Sequence, residues 1–138
     1  MKPRYSLPLL ALLIIALSAA CKKSSGGKEP YELSNTSWQG EAKMFDKNFK
    51  PMKVSFKEDK TVEVVFVSTD ATPLTYTFFG TWQKSEDSDN VVFIFAKGVD
   101  KVTCTCTLSD NNTKLPDGKF KVDNEPNLDA GTFSLTRQ

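Results

Sequence analysis

The chain has 138 residues, a formal net charge of +1, 25% charged residues and no histidine. Without an imidazole there is no Ser-His-Asp or Cys-His catalysis, no His-containing zinc site and no histidine pH switch. Charges of both signs are interspersed along the sequence, which gives neither a basic face for nucleic acid nor a strong steering field.

The first elements are a leader and a tether. Met1-Lys2-Pro3-Arg4-Tyr5 is basic, an apolar run extends from Leu7 to Leu17, and Ser18-Ala19-Ala20 are small. This is the three-part pattern of a secretory signal peptide, and the run is shorter than the ~20 residues a membrane span needs. Leu17-Ser18-Ala19-Ala20-Cys21, followed by Lys22-Lys23-Ser24-Ser25-Gly26-Gly27-Lys28, resembles a bacterial lipoprotein lipobox, with Ser18 standing where leucine is usual. The resemblance implies that the Cys21 thiol receives diacylglycerol and that its new amino terminus is acylated after cleavage. A plain cut after Ala20, leaving a free thiol, is the alternative.

Two or three acyl chains at about 0.8 kcal/mol per buried methylene would make attachment effectively permanent, and Lys22 and Lys23 would add about 1 kcal/mol each on anionic lipid. The resemblance also implies sorting to the outer membrane, because Lys22 is not the retaining aspartate. The lack of an acidic run after Cys21 favours the periplasmic face over the cell exterior. The expected organisation is therefore a signal peptide over 1–20, a lipidated cysteine and flexible Lys/Ser/Gly tether over 21–32, and one domain over 33–138. Cleavage would remove Lys2 and Arg4 and leave a charge of about −1.

From Leu33 onward the dominant signal is period-two alternation, so the spacing predicts strands. Thr36, Trp38, Gly40, Ala42 and Met44 share one face of the first, and Asp46-Lys47-Asn48 marks a turn. Met52, Val54 and Phe56 form the second row, and Val62, Val64 and Phe66 the third. Val65 and Val67, on the opposite face of that third strand, mark a pairing surface or a bulge. Tyr76, Phe78, Gly80 and Trp82 align on a fourth strand rich in strand-forming residues. Val91 to Ala96 is apolar on both faces and is expected to be well covered. Val102, Cys104, Cys106 and Leu108 alternate with Thr103, Thr105 and Thr107. Ser109 to Asn112 and Pro116-Asp117-Gly118 read as turns around a short piece at Thr113 to Leu115. Phe120 and Val122 give another strand, Asp123 to Asp129 a longer loop, and Thr132 to Arg137 the last strand.

About eight short strands joined mostly by hairpin-length connections, with no convincing helix, predict an all-β fold with antiparallel neighbours. Closure into a small up-and-down barrel would remove the two sheet edges; a β-sandwich with Greek-key connections is the alternative, which alternation alone does not distinguish. Asn35-Thr36-Ser37-Trp38 in the first strand and Leu135-Thr136-Arg137 in the last resemble the lipocalin-like (calycin) pattern, with Thr36 where that pattern has glycine. The resemblance implies that Trp38 packs against Arg137 and closes one end of a barrel. It further implies that the inside or mouth of the barrel binds something apolar.

Few residues bear chemistry. Cys104 and Cys106 form a Cys-x-Cys, but i and i+2 on a strand lie near the limit of disulfide reach, and two thiolates without histidine leave a soft-metal site incomplete. Their row with Val102 and Leu108 makes them small buried hydrophobes. The acidic turns at Asp110-Asn111-Asn112 and Asp123 to Asp129 lack the spacing of a calcium loop, so no metal and no cofactor is expected. Trp38, Tyr76, Phe78, Trp82, Phe93 and Phe95 are the candidate ligand-binding residues; the competing reading is that these rings fill the barrel. The expectation is a non-enzymatic, membrane-anchored envelope protein that binds a small apolar ligand. The alternative is an accessory protein with a filled barrel and a protein partner.

Overall fold

A computed structural model describes residues 32–138, with the side chains of 126–129 left aside; the leader, Cys21 and the tether up to residue 31 lie outside the described residues. Eight strands follow one another: β1 (Thr36–Met44), β2 (Lys47–Phe56), β3 (Thr61–Ser68), β4 (Thr75–Lys84), β5 (Asn90–Lys97), β6 (Asp100–Thr107), β7 (Lys114–Val122) and β8 (Glu125–Arg137). Each pairs antiparallel with the next and β8 pairs with β1, so the sheet closes into an up-and-down barrel. No helix occurs among the described residues. The barrel fits a calycin-like fold, and a sandwich is excluded by the closure.

Alternation decides what faces in. The inner face carries Trp38, Met52, Val54, Phe56, Val62, Val64, Phe93, Cys104, Phe120 and Leu135, all fully buried, while the outer face is mostly Lys, Glu, Ser, Gln and Thr, with Val65, Val67, Phe79, Val92 and Ile94 on β3 to β5. An apolar inside and a polar outside is the reverse of a membrane-spanning barrel. The closing seam is tight because glycine sits on each side of it. A Cβ on Gly40 would run into the carbonyl of Ser134, and Gly131, at φ 141°, lies against the carbonyl of Lys43.

Four expectations need correction. Strand β2 begins at Lys47, not Met52, because the chain turns at Phe45-Asp46 and absorbs Pro51 in a register shift between Phe49 and Met52. Pro116-Asp117-Gly118 is not a turn between two strands but a bulge inside β7, where the register with β8 shifts between Leu115 and Gly118 and Asp117 takes φ 52°. Asp123 to Asp129 is not a loop: only Asp123 and Asn124 turn, and β8 starts at Glu125. At Pro51 and at Pro116-Asp117-Gly118 these residues mark a local break in a ladder, not its end. Lastly, the outer face of β5 is uncovered, with Val92 half-buried and Ile94 and Ala96 exposed, since a single-layer barrel packs nothing outside its wall. Val65 and Val67 are half-buried on the outer face of β3 opposite Thr77 and Thr75, in an unshifted register: they mark a pairing surface, not a bulge.

Candidate functional site

The two ends of the barrel differ. At the end where Leu33 and Gln138 sit, the inner rings are sealed. Leu33 is buried, and Trp38 donates its indole N–H to Thr36 Oγ1 at 2.8 Å while the Thr36 hydroxyl donates to the Leu33 carbonyl at 2.5 Å. Thr36, which stands where the calycin pattern has glycine, thus holds the indole directly. Arg137 lies opposite Trp38 in the β1–β8 register, at the rim of this end. Trp82 donates its indole N–H to the Lys57 carbonyl at 3.0 Å, and the Lys60 ammonium lies 4.0 Å from the Trp82 ring centre.

From Trp82 a continuous run of rings fills the interior. Phe56 meets Trp82 at 5.5 Å and Phe93 at 5.6 Å; Phe93 meets Phe133 at 5.7 Å, and Phe133 meets Phe120 at 4.9 Å. These separations lie in the range of favourable edge and tilted ring contacts. Along this run the rings pack against one another and the barrel body is buried.

The run ends at the opposite mouth, where the packing opens. Phe66 contacts Phe120, Phe95, Phe78 and Phe49 at 6.1, 5.9, 6.0 and 5.2 Å, and Phe78 stacks on Phe95 at 5.1 Å. Above them lies a recess of about 520 Å³. Phe49, Phe66, Phe78 and Phe95 line its floor, Tyr76 one wall, and Met44, Phe45 and Asp46 its rim, with Lys47 and Lys97 at the edge. The volume falls within the 300–1,000 Å³ typical of small-molecule sites, and an aromatic floor with a few charged groups is the usual chemistry of such sites. Among the described residues neither Lys47 nor Lys97 forms an ion pair, and the Lys97 ammonium lies 5.5 Å from the Phe45 ring.

No family model, curated protein or solved structure matches this chain.

The site therefore rests on geometry alone. Of the six candidate ligand residues, the fold brings Tyr76, Phe78 and Phe95 to the mouth recess. It places Trp38 and Trp82 at the sealed end, where Trp82 also borders a recess with Leu33 and Lys60, and Phe93 in the packed middle; all three are buried in the core. Phe49, Phe66, Lys47 and Lys97 complete the recess. Phe66 belongs to a row that alternation marks as inward; Phe49 is separated from its row by the Pro51 shift, so period two does not reveal it.

Cys104 and Cys106 are both free and buried on the inner face of β6. Burial pushes the Cys104 thiol well up and the Cys106 thiol to about 12, and Cys106 contacts the Val91 carbonyl at 3.8 Å. Thiols held this far from ionisation are poor nucleophiles and poor metal ligands. Among the described residues no group of three acidic or sulfur ligands converges. Two further recesses mix apolar and charged linings: one places Ala42, Phe49 and Phe133 among Glu41, Lys43, Lys50, Asp117 and Lys119, and the other places Leu33 and Trp82 among Glu32, Lys60, Lys84 and Glu86.

Proposed function

We propose that this chain is a lipid-anchored envelope protein, attached through Cys21 to the outer membrane and facing the periplasm, whose barrel holds a small apolar ligand at its mouth. The observation that carries the binding role is the aromatic floor of Phe49, Phe66, Phe78 and Phe95 under an open recess of about 520 Å³. Burying a phenyl-sized group there would remove apolar surface from water at about 25 cal/mol per Å². The described chain starts at the sealed end, so an anchor at Cys21 would leave the mouth facing away from the bilayer; the 12 residues of 21–32 reach at most about 40 Å.

A second reading is an accessory protein that holds a partner at the mouth. It is favoured by the exposure of Phe45, Leu74, Tyr76 and Val99 on turns and strand starts around the recess.

The binding role is tested with 8-anilinonaphthalene-1-sulfonate emission and native mass spectrometry. Trp38 and Trp82 both sit in the sealed end, so intrinsic emission is a poor reporter of the mouth. The probe is expected to bind, and Phe78→Ala to weaken binding about tenfold, the equivalent of about 1.4 kcal/mol. A chain that neither binds the probe nor co-purifies with a small molecule would remove the ligand reading. The anchor is tested by metabolic labelling with a fatty acid: wild type is expected to be labelled and Cys21→Ala not, and equal labelling would refute it.

A further inference from the structure

Strand β4 outruns its neighbour. Its register with β3 covers Val67↔Thr75 to Thr61↔Thr81, but its register with β5 stops at Gly80↔Phe95, and β5 turns away through Gly98-Val99 soon after. The β3–β4 hairpin therefore projects past the β5–β6 hairpin and presents an edge at the mouth. The direction of its backbone groups follows from two bonds: Trp82 N–H donates to the Lys60 carbonyl, and the Leu74 carbonyl accepts from Ser68 N–H, both on the β3 side. Even-numbered residues of β4 thus turn their backbone groups to β3, and Thr75 and Thr77 turn theirs to the open side, beyond the last β5 partner.

This edge lacks the usual protection. Natural edges are blunted by charge, proline or cover, yet Thr75-Tyr76-Thr77-Phe78-Phe79 is uncharged, proline-free and strand-prone. Its inward residues, Tyr76 and Phe78, line the recess, and its outward Phe79 is 65% exposed. In the neighbouring β5–β6 turn Val99 is 96% exposed. Lys47 and Lys97 stand at the edge of the recess without acidic partners, against the single carboxylate of Asp46.

We infer that the β4 edge takes up an extended, acidic-apolar peptide segment of a partner protein by strand addition across the mouth. The peptide backbone pairs with Thr75 and Thr77. One apolar side chain enters the recess over Phe78 and Phe95, the next lies on Phe79, and a carboxylate meets Lys97 or Lys47. An unpaired row of N–H and C=O groups selects a peptide because a hydrocarbon ligand offers it nothing, and alternating pockets on the two faces then read side chains. The inference gives a form to the partner reading above and shares its recess with the ligand reading.

The experiment selects binders of the purified full chain from a displayed library of random ten-residue peptides, and measures the selected peptides on three chains. Enriched peptides are expected to alternate apolar residues and to carry an acid. Thr77→Pro removes one outward N–H that bonds nothing in the barrel, and Phe79→Lys charges the exposed edge; each is expected to lower peptide affinity about tenfold or more. Both should bind the anilinonaphthalene probe as wild type does and melt at the same temperature. No enrichment, or equal peptide affinity for Thr77→Pro, overturns strand addition while leaving the ligand reading intact. Peptide binding without probe binding does the opposite. Preferential flotation of the chain with phosphatidylglycerol vesicles, lost on Val99→Asp, would assign the exposed tips to a lipid surface and overturn the peptide.

Discussion

The sealed end and the mouth are built from the same alternating strands, yet one is a finished core and the other is not. The difference lies in the connections. At the sealed end the chain takes four residues from Phe56 to Thr61, five from Lys84 to Asn90 and six from Thr107 to Lys114, and these loops lie close enough to offer backbone partners. The Leu33 and Lys57 carbonyls there accept from Thr36 and Trp82. At the mouth, three of the four connections are two-residue turns, at Phe45-Asp46, Gly98-Val99 and Asp123-Asn124. Turns that short reverse the chain above its own strands and cover nothing. An up-and-down barrel is opened or closed by its loops, not by its pattern of inward residues.

That contrast has measurable consequences, the largest at Trp38. Truncating it to alanine should cost about 3–5 kcal/mol in urea denaturation, because a fully buried ring and its hydrogen bond to Thr36 are lost together. Tyr76→Ala, at a 37% exposed position on the mouth, should cost about 1 kcal/mol or less. Equal costs would mean that the two ends are equally packed, and the comparison would fail.

Next comes the alkaline limit. The Cys106 thiol lies in the sealed end, opposite Val91, and is pushed from the ordinary value of 9.0 to about 12 by burial. A raised thiol pKa means that the unfolded chain releases this proton first. The stability linked to it is therefore full below about pH 9 and lost as pH rises toward 12, by up to about 4 kcal/mol. Urea midpoints between pH 8 and 11 should fall more steeply in wild type than in Cys106→Ala. Parallel curves would show water reaching the sealed end. Iodoacetamide at pH 8 should likewise leave Cys104 and Cys106 unmodified until denaturant is added.

The smallest effect sharpens the comparison without threatening it. Lys60→Gln removes the ammonium 4.0 Å from Trp82 and should cost about 0.5–1 kcal/mol, read as a small shift in the urea midpoint.

How far the sequence shows these features depends on which signal carries each. Val62, Val64 and Phe66, or Val102, Cys104 and Cys106, alternate without interruption, so their strands and inward faces can be read directly. Pro51 and Pro116-Asp117-Gly118 cannot, because the residues that end a strand also make a bulge within one, and only the neighbouring ladder distinguishes the two. Phe49 is hidden for that reason. Depth along the barrel is not encoded in alternation at all: Trp38, Phe93 and Tyr76 share an inward phase, yet one lies in the sealed end, one in the middle and one at the rim. Their fates follow from register and loop length, which are set by long-range pairing. The overhang of β4 is a register property of the same kind.

The strictly sequential strand order also bears on how the domain assembles. Seven of the eight strand pairings join neighbours in the sequence and form as local hairpins; the eighth, β1 with β8, joins Trp38 to Arg137 across nearly the whole domain. Loop-closure entropy concentrates in that one step, so the contact order of the fold resides in its final seam. Without that seam the sheet is a curled meander with β1 and β8 as its two free edges, and the single β1–β8 pairing satisfies both at once. The two glycines that let the seam close tightly, Gly40 and Gly131, therefore lie in the one pairing that carries the fold's longest sequence separation.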